Sequence, residues 1–229
     1  MPKQSAALQP HRRLFADRRR NPDGKREAVL HTAVRMFLER SYAHTSMNDV
    51  ATQLNITKPA LYHYFRNKEE ILVEIYHLGT DLIDQMLDSI EAKQKTGLDK
   101  VADFLAAYIR IISGDFGRAV VRLDDRELSK NARRQIRTRN REIDHRLRAI
   151  IDGGIADGSI ATCDPKIAAF ILAGAVNWMA SWYEPRGPMD INAITKQYIR
   201  LLSTGLSGES DLSTAPAVPR LAATLRIVE

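Results

Sequence analysis

An all-α fold is expected for this chain of 229 residues, and three observations predict it. Apolar residues recur at three- and four-residue spacing from Val29 to Leu206, the period of helices with one buried face. No stretch alternates apolar and polar residues over the length a strand needs. Helix-start residues punctuate the pattern at Ser46, Thr57, Asn67, Ser129, Asp164 and Asp190.

The elements follow in order. Residues 1–22 are polar, Arg-rich and without periodicity, and read as a flexible basic arm. A first helix begins after Asp23-Gly24 and runs to about Arg40, with Val29, Leu30, Ala33, Met36 and Phe37 on one stripe. Ser46 with Asp49 forms a capping box, so a second helix starts there with Met47, Val50, Ala51 and Leu54 inside. Asn55 tolerates the left-handed conformation that ends a helix. Ile56 returns to the core. Thr57 caps a third helix, Pro59 sits in its first turn, and Leu61 and Phe65 face inward. Asn67 and Glu70 open a helix of more than twenty residues, striped by Ile71, Leu72, Ile75, Leu78, Leu82, Met86, Leu87 and Ile90. Gly97 breaks the chain before an amphipathic helix at 98–113, and 115–127 is a shorter one. Ser129 caps a long charged helix ending near Gly153 to Gly158. Asp164-Pro165 opens a strongly apolar helix that Pro185 to Pro188 stops. Residues 190–206 form the last helix, and 207–229 read as a flexible tail.

Two short helices joined by a tight turn are a helix-turn-helix. The charge agrees with that reading. Residues 1–68 carry 13 Lys/Arg against 5 Asp/Glu, net +8, while the remainder is net −2. A polyanion partner for the first third is implied, because neutralised phosphates release counterions. In this motif the second helix presents its N-terminal residues to base edges. Lys58 can donate to guanine and Ala60 can touch a thymine methyl. Tyr62, His63 and Tyr64 suit phosphate oxygens, with Tyr62 also able to pack in the core. Lys68 lies at the start of the next helix, where backbone N–H groups favour an anion, and Thr45 and Ser46 add hydroxyls at the preceding helix start.

The runs Val29 to Phe37, Thr45-Ser-x-x-Asp-Val-Ala51 and Thr57-Lys-Pro-Ala-Leu-Tyr-His-Tyr-Phe-Arg-Asn-Lys-Glu-Glu-Ile-Leu72 resemble the DNA-binding domain of TetR-type regulators. The resemblance implies an N-terminal three-helix DNA-binding domain at 23–68 and a larger helical effector-binding and dimerisation domain at 69–206. It implies a repressor that binds near-palindromic double-stranded operator DNA as a homodimer and is released by a small hydrophobic effector; a cytoplasmic location is expected from the lack of a signal-like or membrane-length apolar run. It adds base contacts near Asn48, Lys58 and Pro59, with Thr57 at the helix entry, and phosphate roles for Tyr62, Tyr64 and Lys68. The usual glycines of the family are Ser41 and Asn55 here. Trp182 to Pro188 resembles a segment of a subgroup responding to acyl-CoA thioesters, but the arginine and tryptophan expected to grip CoA there align with Ala173 and Asn177.

In the body, Phe104, Tyr108, Phe116, Phe170, Asn177 and Trp178 are the candidate pocket lining, or ordinary core. The last two helices are expected to form a four-helix bundle with a second copy, with Ala168, Ala175, Ile194, Tyr198, Leu201 and Leu202 at the seam. Eight basic residues from Lys130 to Arg148 form either a solvated face or an anion site. The arm's Arg12, Arg13, Arg18, Arg19 and Arg20 either enter a minor groove or add nonspecific affinity.

Other classes fit less well. One cysteine, Cys163, excludes an internal disulfide framework and a Cys-rich zinc site. Asp124, Asp125, Glu127 and His145 are the one acid–base cluster in view, with no nucleophile at suitable spacing, so no enzyme, cofactor or metal is expected. No run reaches a membrane helix, and Met1 to Arg20 lack the apolar segment of a secretory signal.

Overall fold

The computed structural model describes residues 22–122, 126 and 128–207. The basic arm up to residue 21, the tail from residue 208, and Asp124, Asp125 and Glu127 lie outside the described residues. Among the described residues there are nine α-helices and no strand. They are α1 (Pro22–Arg40), α2 (Met47–Leu54), α3 (Lys58–Tyr62), α4 (Lys68–Glu91), α5 (Gly97–Ser113), α6 (Asp115–Val121), α7 (Lys130–Ala156), α8 (Pro165–Trp182) and α9 (Ile191–Leu206). The first begins before Asp23-Gly24 rather than after it.

The expected caps are present. Ser46 and Asp49 form a reciprocal capping box on α2, and Asp49 is held below its usual carboxyl pKa mainly by the Ser46 hydroxyl. Thr57, Asn67, Ser129, Asp164 and Asp190 each accept a backbone N–H of the helix they open. Both of the family's glycine positions keep a left-handed backbone, with Ser41 at φ 70° and Asn55 at φ 58°. Asn tolerates this region and Ser does so less well. Ser41→Gly is therefore expected to raise stability by about 0.5–1 kcal/mol in urea unfolding, and an unchanged midpoint would contradict strain at that junction.

The side chains pack into two apolar cores. The first joins α1, α2 and α3 to Ile71, Leu72, Ile75 and Tyr76 of α4. It also takes in Ala119 of α6 and Leu128, Ala132 and Ile136 around the start of α7. The second holds Ile83, Leu87 and Ile90 of α4 with α5, the end of α7, the inner face of α8 and Ile194 of α9. α4 thus runs through both cores, and the cores meet within it. Its buried stripe turns through Tyr76, Gly79, Thr80 and Ile83. Leu78 and Leu82, expected inside, are 42% and 52% exposed because this stripe leaves them on the outer side.

Ion pairs hold α4 to α7. Arg139 pairs with Asp81 and Asp84, and Arg146 with Asp84, Asp88 and Glu91. Arg148 pairs with Asp144 on its own helix. These arginines are a structural part of the basic run on α7. At its other end α7 crosses the start of α5 so closely that Gly97 meets Gly154 backbone to backbone. Asp157 accepts the Gly97 N–H at 2.8 Å and the Ser159 hydroxyl accepts the Leu98 N–H at 3.0 Å, which ties the start of α5 to the end of α7.

Candidate DNA interface and effector cavity

The helix-turn-helix is built from small, local pieces. Met47, Val50, Ala51 and Leu54 of α2 are buried, and Ala51 lets α3 cross closely. The Asn55 and Ile56 N–H groups return to Thr52 and Ala51 carbonyls at 3.0 Å and close the turn. Leu61 and Phe65 are 0% and 1% exposed and anchor α3. Arg26 locks it from the other side. Its guanidinium donates to the Tyr64 carbonyl at 2.8 Å, pairs with Glu74 at 3.2 Å and lies 4.2 Å over the Phe65 ring. Nothing in the local pattern marks Arg26, because its partners stand 38 to 48 residues away.

This anchoring turns one face of the motif outward. Asn48, Ser46, Thr57, Lys58, Pro59, Tyr62 and His63 are exposed, Ala60 and Tyr64 half-buried. Lys58 and Tyr62 lie together, with the ammonium 5.8 Å from the ring centroid. Tyr62, for which core packing was the alternative, is 43% exposed. Tyr64 packs partly against the first core.

Two expected phosphate ligands have other employment. Thr45 is buried, and its hydroxyl donates to the Ser41 carbonyl at 2.9 Å and to the Met36 carbonyl at 3.4 Å. It closes the junction after α1 and presents no hydroxyl to solvent. The Lys68 ammonium donates to the Tyr42 carbonyl at 2.6 Å and sits 4.1 Å over the Tyr42 ring. It holds the α1–α2 turn, reaching across 26 residues that local spacing does not relate.

A cavity of about 290 Å³ lies where the two cores meet. Its walls are Tyr76, Gly79, Thr80 and Ile83 of α4, Tyr108, Ile111 and Ile112 of α5, Gly117, Val120 and Val121 of α6, Ile136, Arg137 and Asn140 of α7, and Asn177 of α8. Two hydroxyl–amide pairs span it. Tyr108 donates to the Asn177 side-chain oxygen at 2.6 Å, and Tyr76 donates to that of Asn140. Burial pushes the Tyr108 hydroxyl up to about 12 against the lowering effect of Asn177, so it stays protonated as a donor. Tyr76 is shifted upward for the same reason.

Of the candidate lining residues, Tyr108 and Asn177 are in the wall. The other four are not. Phe104 is a fully buried core side chain stacked on Tyr108. Phe116 packs edge-on against His31 where α6 meets α1. Phe170 and Trp178 are 53% and 68% exposed on the far side of α8. The helix turns 100° per residue, so Asn177 at the edge of the buried face leaves its neighbour Trp178 outside.

The residues expected at the seam divide in the same way between the subunit's own core and its surface. Ala168 and Ile194 are buried in their own second core. The outward face of α8 is Ile167, Phe170, Ile171 and Trp178, continued by Leu201 of α9. Tyr198 and Leu202 pack partly against the second core, and Ala175 is half-buried. A groove of about 420 Å³ between α8 and α9 is lined by Ile167, Ile171, Leu201 and Leu202, with Cys163 at its rim.

Among the described residues no His/Cys/Asp/Glu group could hold a metal, and no helix is long and apolar enough to cross a membrane.

Comparison with known proteins fits both parts. Residues 29–75 match the family described as bacterial regulatory proteins, tetR family, and residues 94–206 match the tetracyclin repressor-like C-terminal domain. The HTH-type transcriptional repressor KstR2 of Mycolicibacterium smegmatis is 25% identical over 81% of this chain and 92% of its own. The structure of the ketosteroid transcriptional regulator KstR2 of Mycobacterium tuberculosis superposes with a TM-score of 0.75 at 22% identity, covering 81% of this chain and 96% of that one. AibR, in complex with isovaleryl coenzyme A and operator DNA, gives 0.70 at 24% identity, covering 80% and 97%.

Proposed function

The chain belongs to the TetR family of DNA-binding transcriptional regulators, and from that premise we propose that it is a repressor which binds a near-palindromic operator as a homodimer and is released by a small hydrophobic effector. The observation that carries the reading is the position of the cavity. It lies between the two cores and is walled by the same α4 that leaves the helix-turn-helix. An occupant there contacts α4, α6 and α7 together, and α6 in turn packs on α1. A ligand shifts such an equilibrium only by its difference in affinity for the two arrangements.

The effector is a compact apolar compound with hydrogen-bonding oxygen, for which the mostly aliphatic walls and the Asn140 and Asn177 amides are suited. A short-chain acyl thioester, of which the cavity would take only the acyl end, is the first compound to test, since AibR was solved with isovaleryl coenzyme A. The dimer uses the outward face of α8 with α9. On the DNA side, Lys58, with Pro59, Ala60 and Asn48, reads bases, while Ser46, Thr57, Tyr62, His63 and Tyr64 position the phosphate backbone.

The test is operator selection from a random duplex pool, followed by anisotropy titration. Half-sites spaced by about 34–36 Å or multiples are expected, and no preference over random DNA would sink the proposal. Lys58→Ala should relax preference at particular base pairs, by about 1–3 kcal/mol each. Lys68→Ala should weaken binding to every sequence alike, because its ammonium holds the α1–α2 turn that leads into the helix-turn-helix. Identical behaviour of the two variants would contradict these roles.

A further inference from the structure

α7 begins with an unfavourable charge pattern. Its first turn carries Lys130, followed by Arg133, and no acid, although a helix N-terminus favours negative charge. A carboxylate reaches it from another helix. Glu69, in the first turn of α4, accepts the Ser129 N–H at 2.7 Å through one oxygen and the Ser129 hydroxyl at 2.7 Å through the other. Ser129 meanwhile caps α7 by accepting the Ala132 N–H at 3.2 Å. One carboxylate thus joins the N-termini of two helices sixty residues apart in sequence.

The neighbours of this contact lead in two directions. Next to Glu69, Lys68 grips the α1–α2 turn from which the helix-turn-helix starts. Beyond Ser129, Ile136 and Asn140 of α7 line the cavity, and Tyr76 reaches across from α4 to Asn140. The route from cavity wall to DNA-facing turn is therefore continuous: Asn140 and Ile136, the start of α7, Ser129, Glu69, Lys68, and the Tyr42 carbonyl.

We propose that Glu69 and Ser129 are a positioning pair that sets the spacing between α7 and the first turn of α4, and so couples occupancy of the cavity to operator binding. The inference rests on the proposed regulatory function. It touches neither DNA nor effector directly. A strut of this kind transmits only if both ends are fixed, and two hydrogen bonds to one ionised carboxylate fix it more firmly than a neutral pair.

Coupling is reciprocal, so operator DNA alone can probe it without any effector. Hydrogen–deuterium exchange of the full-length protein, with and without its selected operator duplex, reads the response of residues 129–140. In the unaltered protein, DNA should slow exchange both at the start of α4 and in this α7 segment. Glu69→Ala and Ser129→Asp should leave the α4 response and cut the α7 response at least about three-fold. Ser129→Asp keeps a good helix cap but repels Glu69, so it separates coupling from capping. Ser129→Thr, which retains both, should behave as the unaltered protein. An α7 response equal in all four proteins, or absent in the unaltered one, overturns the proposal. Failure to select any operator overturns the underlying function instead.

Discussion

Gly97→Ala is expected to cost about 3 kcal/mol or more, a large share of the stability of an ordinary domain. A methyl group there would stand 2.1 Å from the Gly154 Cα and 2.3 Å from its nitrogen, so backbone would have to give way. The start of α5 and the end of α7 would separate, and the Asp157 and Ser159 bonds that join them would lengthen. Thermal unfolding should show a fall of about 6–12 °C for a chain of this size. Gly154→Ala should cost less, because the atoms nearest its new methyl belong to the Ile160 side chain and the Gly97 Cα stands farther back at 3.1 Å. Gly153→Ala, with nothing within 4 Å, should stabilise by about 0.5–1 kcal/mol as an ordinary helix substitution. Equal melting temperatures for all three would show that the α5–α7 crossing is not tight.

The second large effect is on assembly. Ile171→Glu places a carboxylate in the outward apolar face of α8, where Ile171 is 58% exposed beside Ile167, Phe170 and Trp178. The second core lies on the other side of the helix, so the subunit should stay folded with an unchanged far-ultraviolet spectrum. The proposed dimer should dissociate, and a monomer engages one half-site only. Losing the second half-site removes an avidity factor of about 10²–10⁴. Sedimentation should therefore report a monomer, and operator anisotropy a matching loss. Trp178 and Trp182 are the only tryptophans in the chain, and Trp178 is 68% exposed in the single subunit. Its emission should shift to the blue as the unaltered protein dimerises, and not in Ile171→Glu. A dimeric Ile171→Glu with normal operator affinity would place the seam elsewhere.

Much of the fold was legible because it is decided locally. A helix start needs its cap within three residues, so Ser46, Thr57, Asn67, Ser129, Asp164 and Asp190 could be read in order. The same holds for Asn55, whose left-handed backbone belongs to one residue. The outward set from Asn48 to His63 also follows from short spacing within a compact motif. The body was less readable. Periodicity says that one face of a helix is apolar and does not say which apolar face meets its own subunit. α8 is apolar nearly all round, so Phe170 and Trp178 looked as inward as Leu172 or Val176. Only packing against α5 and α7 separates them.

The all-helical class, the helix-turn-helix, its caps and the basic bias of its surroundings depend on neighbours a few residues apart, and so they can be read along the chain. It takes the packed molecule to show that Thr45 closes a junction, that Lys68 holds a turn, that Tyr76 and Asn140 join Tyr108 and Asn177 around a cavity, and that Glu69 reaches the start of α7. Each of those contacts except Thr45's joins residues more than 25 apart. A side chain's partner at that distance is fixed by how helices cross, and crossing depends on the shape of two whole surfaces rather than on the period of either.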